Sequence, residues 1–201
     1  MKKLKRVLSI LLILIASAFT IYLLFFSKRY PLTIISHSIS IGDSVDSFNA
    51  ITVYNNGMDY SKSHGKHYNS DSSFYYGKKW QCVEFIKRYY HDHLHFTMPD
   101  GMGHAKDFYD PGTDHGKLNK QRGLLQFQND NDKAPAIGDI LVFGGKFGHV
   151  AIVTKISETE IEVIQQNIYM TPRETFTLSF HNGKYSVGKN KKPNGWLRIP
   201  K

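Results

Sequence analysis

The chain has 201 residues, 41% hydrophobic and 21% charged, a balance that builds one cored domain and excludes a disordered or collagen-like chain. Its single cysteine excludes an internal disulfide. The net charge of +9 sits mostly at one end: residues 1–30 hold six Lys/Arg and no Asp/Glu, leaving +3 on the rest, too little to indicate nucleic acid as a partner.

Residues 1–30 read as a membrane anchor or signal segment. After the basic MKKLKR, Val7 to Phe26 runs 20 residues without a charge. As a helix at ~1.5 Å per residue, that length spans a ~30 Å hydrocarbon core. Lys2, Lys3, Lys5 and Arg6 precede it and only Lys28 and Arg29 follow. The positive-inside rule then predicts a single-pass protein with a cytoplasmic N-terminus. Ala16-Ser17-Ala18 offers the alternative of a cleaved signal peptide and a secreted product. Either way, residues 31–201 are expected outside the cytoplasm.

Residues 31–47, rich in serine, read as a tether, and 48–201 as the functional domain. FNAITVYNNG (48–57) predicts a strand ending in an Asn-Gly turn. Residues 58–79 predict a polar loop. From Gln81 the apolar positions Val83, Phe85, Ile86, Tyr89 and Tyr90 follow a helical period. Residues 97–134 predict loops with short helical pieces. AIGDILVF (136–143), HVAIVTKI (149–156) and EIEVIQQN (160–167) predict three strands joined by hairpin-length connections. ETFTLSF and GWLRIP add two more. A helix followed by an antiparallel meander gives an α+β fold.

Cys82 falls in the first turn of the predicted helix, where unpaired N–H groups and the helix dipole favour a thiolate. A buried, inert cysteine is the plainer alternative. A nucleophilic thiol needs a base and a group that orients it. His149 heads an apolar strand behind Gly148, which leaves room for a neighbour. Gln165 and Asn167, two apart on the next strand, predict amides on one face, either able to bond the imidazole. Glu162 falls on the opposite face.

The motifs WQCVEF, GDILVF followed by GHVAIV, then IQQN and GWLRI resemble the CHAP domain, the cysteine- and histidine-dependent amidohydrolase/peptidase family with a papain-like fold. Within it the sequence is similar to the amidase domain of glutathionylspermidine synthetase/amidase, which shares KWQCVEF and a stretch like Tyr54 to Gly57. The resemblance covers roughly residues 41–199. It implies a nucleophile helix packed on an antiparallel sheet, Cys82 as nucleophile, His149 as base, and Asn167 as a polar site residue. Where the family usually places an orienting carboxylate, this chain has Gln165, so the Cys–His ion pair is expected to be weaker. Trp80 and Gln81, beside the cysteine, are expected near the substrate or oxyanion.

The implied activity is amide hydrolysis through an acyl-enzyme, with no cofactor. The predicted location points to peptidoglycan peptides as substrate. Two alternatives stand beside it: a glutathionylspermidine-type amidase, and an inactive wall-binding module. His91, His93 and His95 lie close together, but no HExxH pattern accompanies them and no metal site is expected.

Overall fold

The computed structural model describes residues 11–22, 39–99 and 103–201. The chain divides into two units, Met1–Ser38 and Ile39–Lys201. In the first, residues 11–22 form a helix, α1. The flanks of the expected membrane span lie outside the described residues. Among the described residues no helix is long and apolar enough to cross a membrane.

In the second unit, β1 (Ser44–Phe48) and β2 (Ile51–Tyr54) form one hairpin, and β3 (Lys66–Tyr68) and β4 (Tyr75–Lys78) another. The helix α2 (Cys82–Arg88) follows and continues into a π-helical turn, Tyr89–His93. A 3-10 turn, Ala105–Phe108, leads to an eight-stranded sheet. Its strands are β5 (Lys117–Asn119), β6 (Leu124–Gln128), β7 (Ile140–Phe143), β8 (His149–Ile156), β9 (Glu160–Ile164), β10 (Arg173–His181), β11 (Lys184–Val187) and β12 (Gly195–Arg198). The spatial order is β11-β10-β9-β8-β7-β12-β6-β5, and every pairing is antiparallel.

Alternation along the central strands divides the core in two. Ile140, Val142, Val150 and Ile152 pack with Phe85, Ile86 and Tyr89 of the helix. Leu141, Ala151 and Val153 point the other way, into a cluster with Trp196, Phe176 and Val187. Both faces are buried, so β7 and β8 read as nearly continuous apolar runs. Phe85 and Ile86 are fully buried, each contributing about 1.5–3 kcal/mol of transfer free energy. An antiparallel bridge between Asn131 and Tyr185 ties the chain after β6 to β11. The sheet therefore curls enough to bring distant strands together.

The α+β class and the helix-on-sheet arrangement agree with the sequence reading. Several local readings need correction. The stretch 48–57 is not one strand: the chain reverses at Asn49 and Ala50, both at positive φ, and Ser44–Ser47, expected in the tether, supplies β1. The polar loop 58–79 contains β3 and β4, and 97–134 contains β5 and β6. KHY and KLN are too short and polar to show alternation, and their pairing comes from their neighbours.

Gly148 has φ +71°, and a Cβ there would lie 2.4 Å from the Lys106 backbone nitrogen. Lys106 donates its N–H to Phe147 O at 3.0 Å, so this close approach docks the 3-10 turn beside His149. Gly148→Ala combines left-handed strain with a backbone clash. It is expected to cost about 2–4 kcal/mol in chemical denaturation; a loss below 1 kcal/mol would show that the two segments separate easily.

Candidate active site

Cys82 is the first residue of α2, with extended Gln81 as its N-cap. The helix packs on β8, and the thiol meets the backbone N–H of Val150, the neighbour of His149. His149 heads β8 and is half-buried. Its Nε2 lies 2.9 Å from Gln165 Oε1. The amide nitrogen of Gln165 donates to Thr171 O at 3.1 Å and to Glu174 Oε2 at 3.2 Å. Those partners only accept, so the glutamine oxygen must face the ring, and Nε2 carries the imidazole proton. Nδ1 is left with the lone pair of a base.

The helix thus sets Cys82 against β8, the strand that His149 heads, and a third side chain fixes the tautomer of the ring. Residues 71–167 match the CHAP domain. The bifunctional glutathionylspermidine synthetase/amidase of Escherichia coli (strain K12) is 32% identical over 127 residues, 57% of this chain and 20% of that relative. Its Shigella flexneri counterpart aligns equally. Glutathionylspermidine synthase of Crithidia fasciculata is 33% identical over 98 residues, 45% of this chain and 14% of its own. The chain thus spans a small part of the length of these relatives. A CHAP domain carries hydrolase chemistry of the amidase or peptidase type.

The electrostatics of the site correct one expectation. Burial pushes the Cys82 thiol up to about 11, outweighing the Val150, Val83 and Cys82 N–H groups that favour the thiolate. Burial likewise lowers His149 from 6.5 to about 4; the Gln165 bond opposes this shift, Lys191 adds to it, and Glu174 opposes it. Between those values the resting pair is neutral thiol and neutral imidazole. The ultraviolet absorbance of the thiolate should therefore be absent at neutral pH and rise only as pH approaches about 11. A thiolate signal present from pH 4 upward would mean a resting ion pair instead.

The other sequence candidates are placed differently. β9 ends at Ile164, so Gln165 and Asn167 do not share a strand face. Gln165 alone meets the imidazole. Asn167, at φ +68°, donates to Tyr60 O and Gln81 Oε1, both at 2.8 Å, and accepts from Asn56 at 2.6 Å. Gln81 gives its amide protons to Tyr60 O at 3.3 Å and Lys62 O at 2.6 Å. It fixes the 60–62 loop and has no proton left for an oxyanion. Trp80, half-buried, packs against Tyr54 at 4.1 Å and His67 at 5.3 Å. Glu162 pairs with Arg173 and Thr154. Among the described residues no group of His, Cys, Asp or Glu is arranged to hold a metal; His91 pairs with Asp92, and His93 meets Asn49.

Three residues around the site escaped the sequence reading. Gln166 is buried, accepts Tyr54 N–H at 2.8 Å, and donates to Gln81 O at 3.0 Å and Glu84 Oε2 at 2.6 Å. Glu84 is fully buried and also holds His67 Nδ1 and Arg88 Nε, both at 2.7 Å. Glu174 supplies a carboxylate one hydrogen bond beyond Gln165. An IQQN motif points to polar site residues but does not say which glutamine faces the histidine.

Proposed function

We propose that this protein is a cysteine amidohydrolase that cuts an amide bond of peptidoglycan peptides outside the cytoplasmic membrane. The observation that carries the reading is the meeting of Cys82 with the N–H of Val150, beside a His149 whose proton Gln165 holds on Nε2. Nδ1 takes the thiol proton as sulfur attacks the carbonyl carbon. The tetrahedral oxyanion is held by backbone N–H groups at the start of α2, including that of Cys82. His149 returns the proton to the leaving amine as the C–N bond breaks. Water, deprotonated by the same nitrogen, then releases the acid from the thioester. The membrane placement rests on the uncharged run Val7 to Phe26 and its basic flanks.

A second reading, hydrolysis of glutathionylspermidine, is favoured by the identity to the synthetase/amidase. Incubation of the full-length protein with peptidoglycan and, separately, with glutathionylspermidine, followed by mass spectrometry, divides the two. New amine and acid ends from the wall that disappear in Cys82→Ala would support the first reading. Cysteine-dependent products from glutathionylspermidine alone would replace it. If neither substrate changes and a thiol-directed electrophile does not label Cys82, the domain is a binding module. A topology reporter fused at Lys201 tests placement: a cytoplasmic signal would sink the wall substrate.

A further inference from the structure

A cleft of about 560 Å³ opens against His149, lined by the β7–β8 connection and the segment before β12. Lys146, Lys191 and Lys192 line it, with Phe147, Asn190 and Asn194. No acidic side chain does so among the described residues. Lys191 is held from behind by Glu174 at 2.7 Å. Lys146 and Lys192 are exposed and make no ion pair among the described residues, although Lys146 sits 5.2 Å from the centre of the Phe147 ring. A cleft lined by one sign of charge concentrates ligands of the other.

Which part of a substrate meets this cleft follows from the chemistry proposed above, on which this inference rests. A histidine that protonates the leaving amine must stand at the scissile nitrogen. The cleft on its side therefore receives the amine portion, which departs when the C–N bond breaks. We propose that Lys146 and Lys192 form a subsite for a carboxylate on the leaving amine. The released amine is then an amino acid or acidic peptide. A polyamine, cationic along its length, would be repelled there. The subsite sets specificity and takes no part in proton transfer.

Two alkylating agents that differ by one charge provide the test. Iodoacetate and iodoacetamide both transfer a carbon to the Cys82 sulfur with loss of iodide. Their rate ratio is measured for the full-length protein and divided by that for 2-mercaptoethanol, a neutral thiol. The expected ratio favours iodoacetate by on the order of tenfold at low salt, falls with added salt, and disappears in Lys146→Glu/Lys192→Glu. Both lysines are surface residues, and iodoacetamide labelling reports that the variant's site is intact. Triglutamate should protect Cys82 from iodoacetamide and spermidine should not. Labelling with an unchanged ratio in the double variant, or protection by spermidine, would overturn the subsite while leaving the amidase reading standing. Failure of both reagents to label Cys82 would overturn the reactive-cysteine reading, and the subsite with it.

Discussion

His149→Ala is expected to lower cysteine-dependent amide hydrolysis by on the order of 10³-fold, within the range general-base catalysis supplies. The reason lies in the resting state. With the thiol near 11, only about one molecule in ten thousand carries a thiolate at neutral pH. The site makes its nucleophile during attack, by handing the proton to Nδ1. Without the ring, the proton has no acceptor in the half-buried site, and the leaving amine has no donor. The imidazole is half-buried at a strand end, outside both apolar clusters, so circular dichroism and the melting temperature should change little. Gln165→Ala should fall between wild type and His149→Ala, because the ring persists but its tautomer is no longer held. Steady-state rates on whichever substrate gives cysteine-dependent products provide the measurement. A His149→Ala protein keeping more than a tenth of the wild-type rate would mean that another group is the base.

The sequence displayed what depends on local pattern. HVAIVTKI carries the apolar run Val150 to Val153 inside it, and β8 spans the stretch from His149 to Ile156. Cys82 at a helix start and His149 at a strand start were legible for the same reason. What could not be read depends on partners distant in the chain. A thiol at a helix start was expected to ionise easily; burial between α2 and β8 reverses that, and burial is a property of the assembled core. The expected shared face for Gln165 and Asn167 assumed that β9 continues to 167. The strand stops at Ile164, and each following side chain turns to a different partner. Glu84 stands outside the apolar positions of the helical period, yet it is fully buried and β4 covers it. A Cβ at Gly77 would lie 3.2 Å from the Glu84 Cα, so only glycine lets the hairpin pack so closely. Gln165 marked a missing carboxylate, but not that Glu174 would stand one bond behind it.

That buried glutamate leads to the second large effect. Glu84→Ala is expected to cost about 3–5 kcal/mol of folding stability, read from the urea midpoint. Burial by itself would raise the Glu84 carboxyl. Hydrogen bonds from His67, the charge and hydrogen bond of Arg88, and Gln166 outweigh it and hold the group below its ordinary value. It is therefore charged in the folded protein, and its stabilisation is present above pH ~4.5 and lost as pH falls through the lower folded value. Truncation leaves Arg88, 7% exposed, with an uncompensated buried charge against Tyr54 and Phe85. It also frees Gln166, which ties β2 to the carbonyl of Gln81 at the entrance to α2. The nucleophile's turn then loses its anchor, so labelling of Cys82 should become less selective even where the protein remains folded. Glu84→Met combined with Arg88→Met removes both charges, and it should recover much of the lost stability but not the labelling pattern. A single variant costing less than 1 kcal/mol would mean that the pair is solvated and does not organise the site.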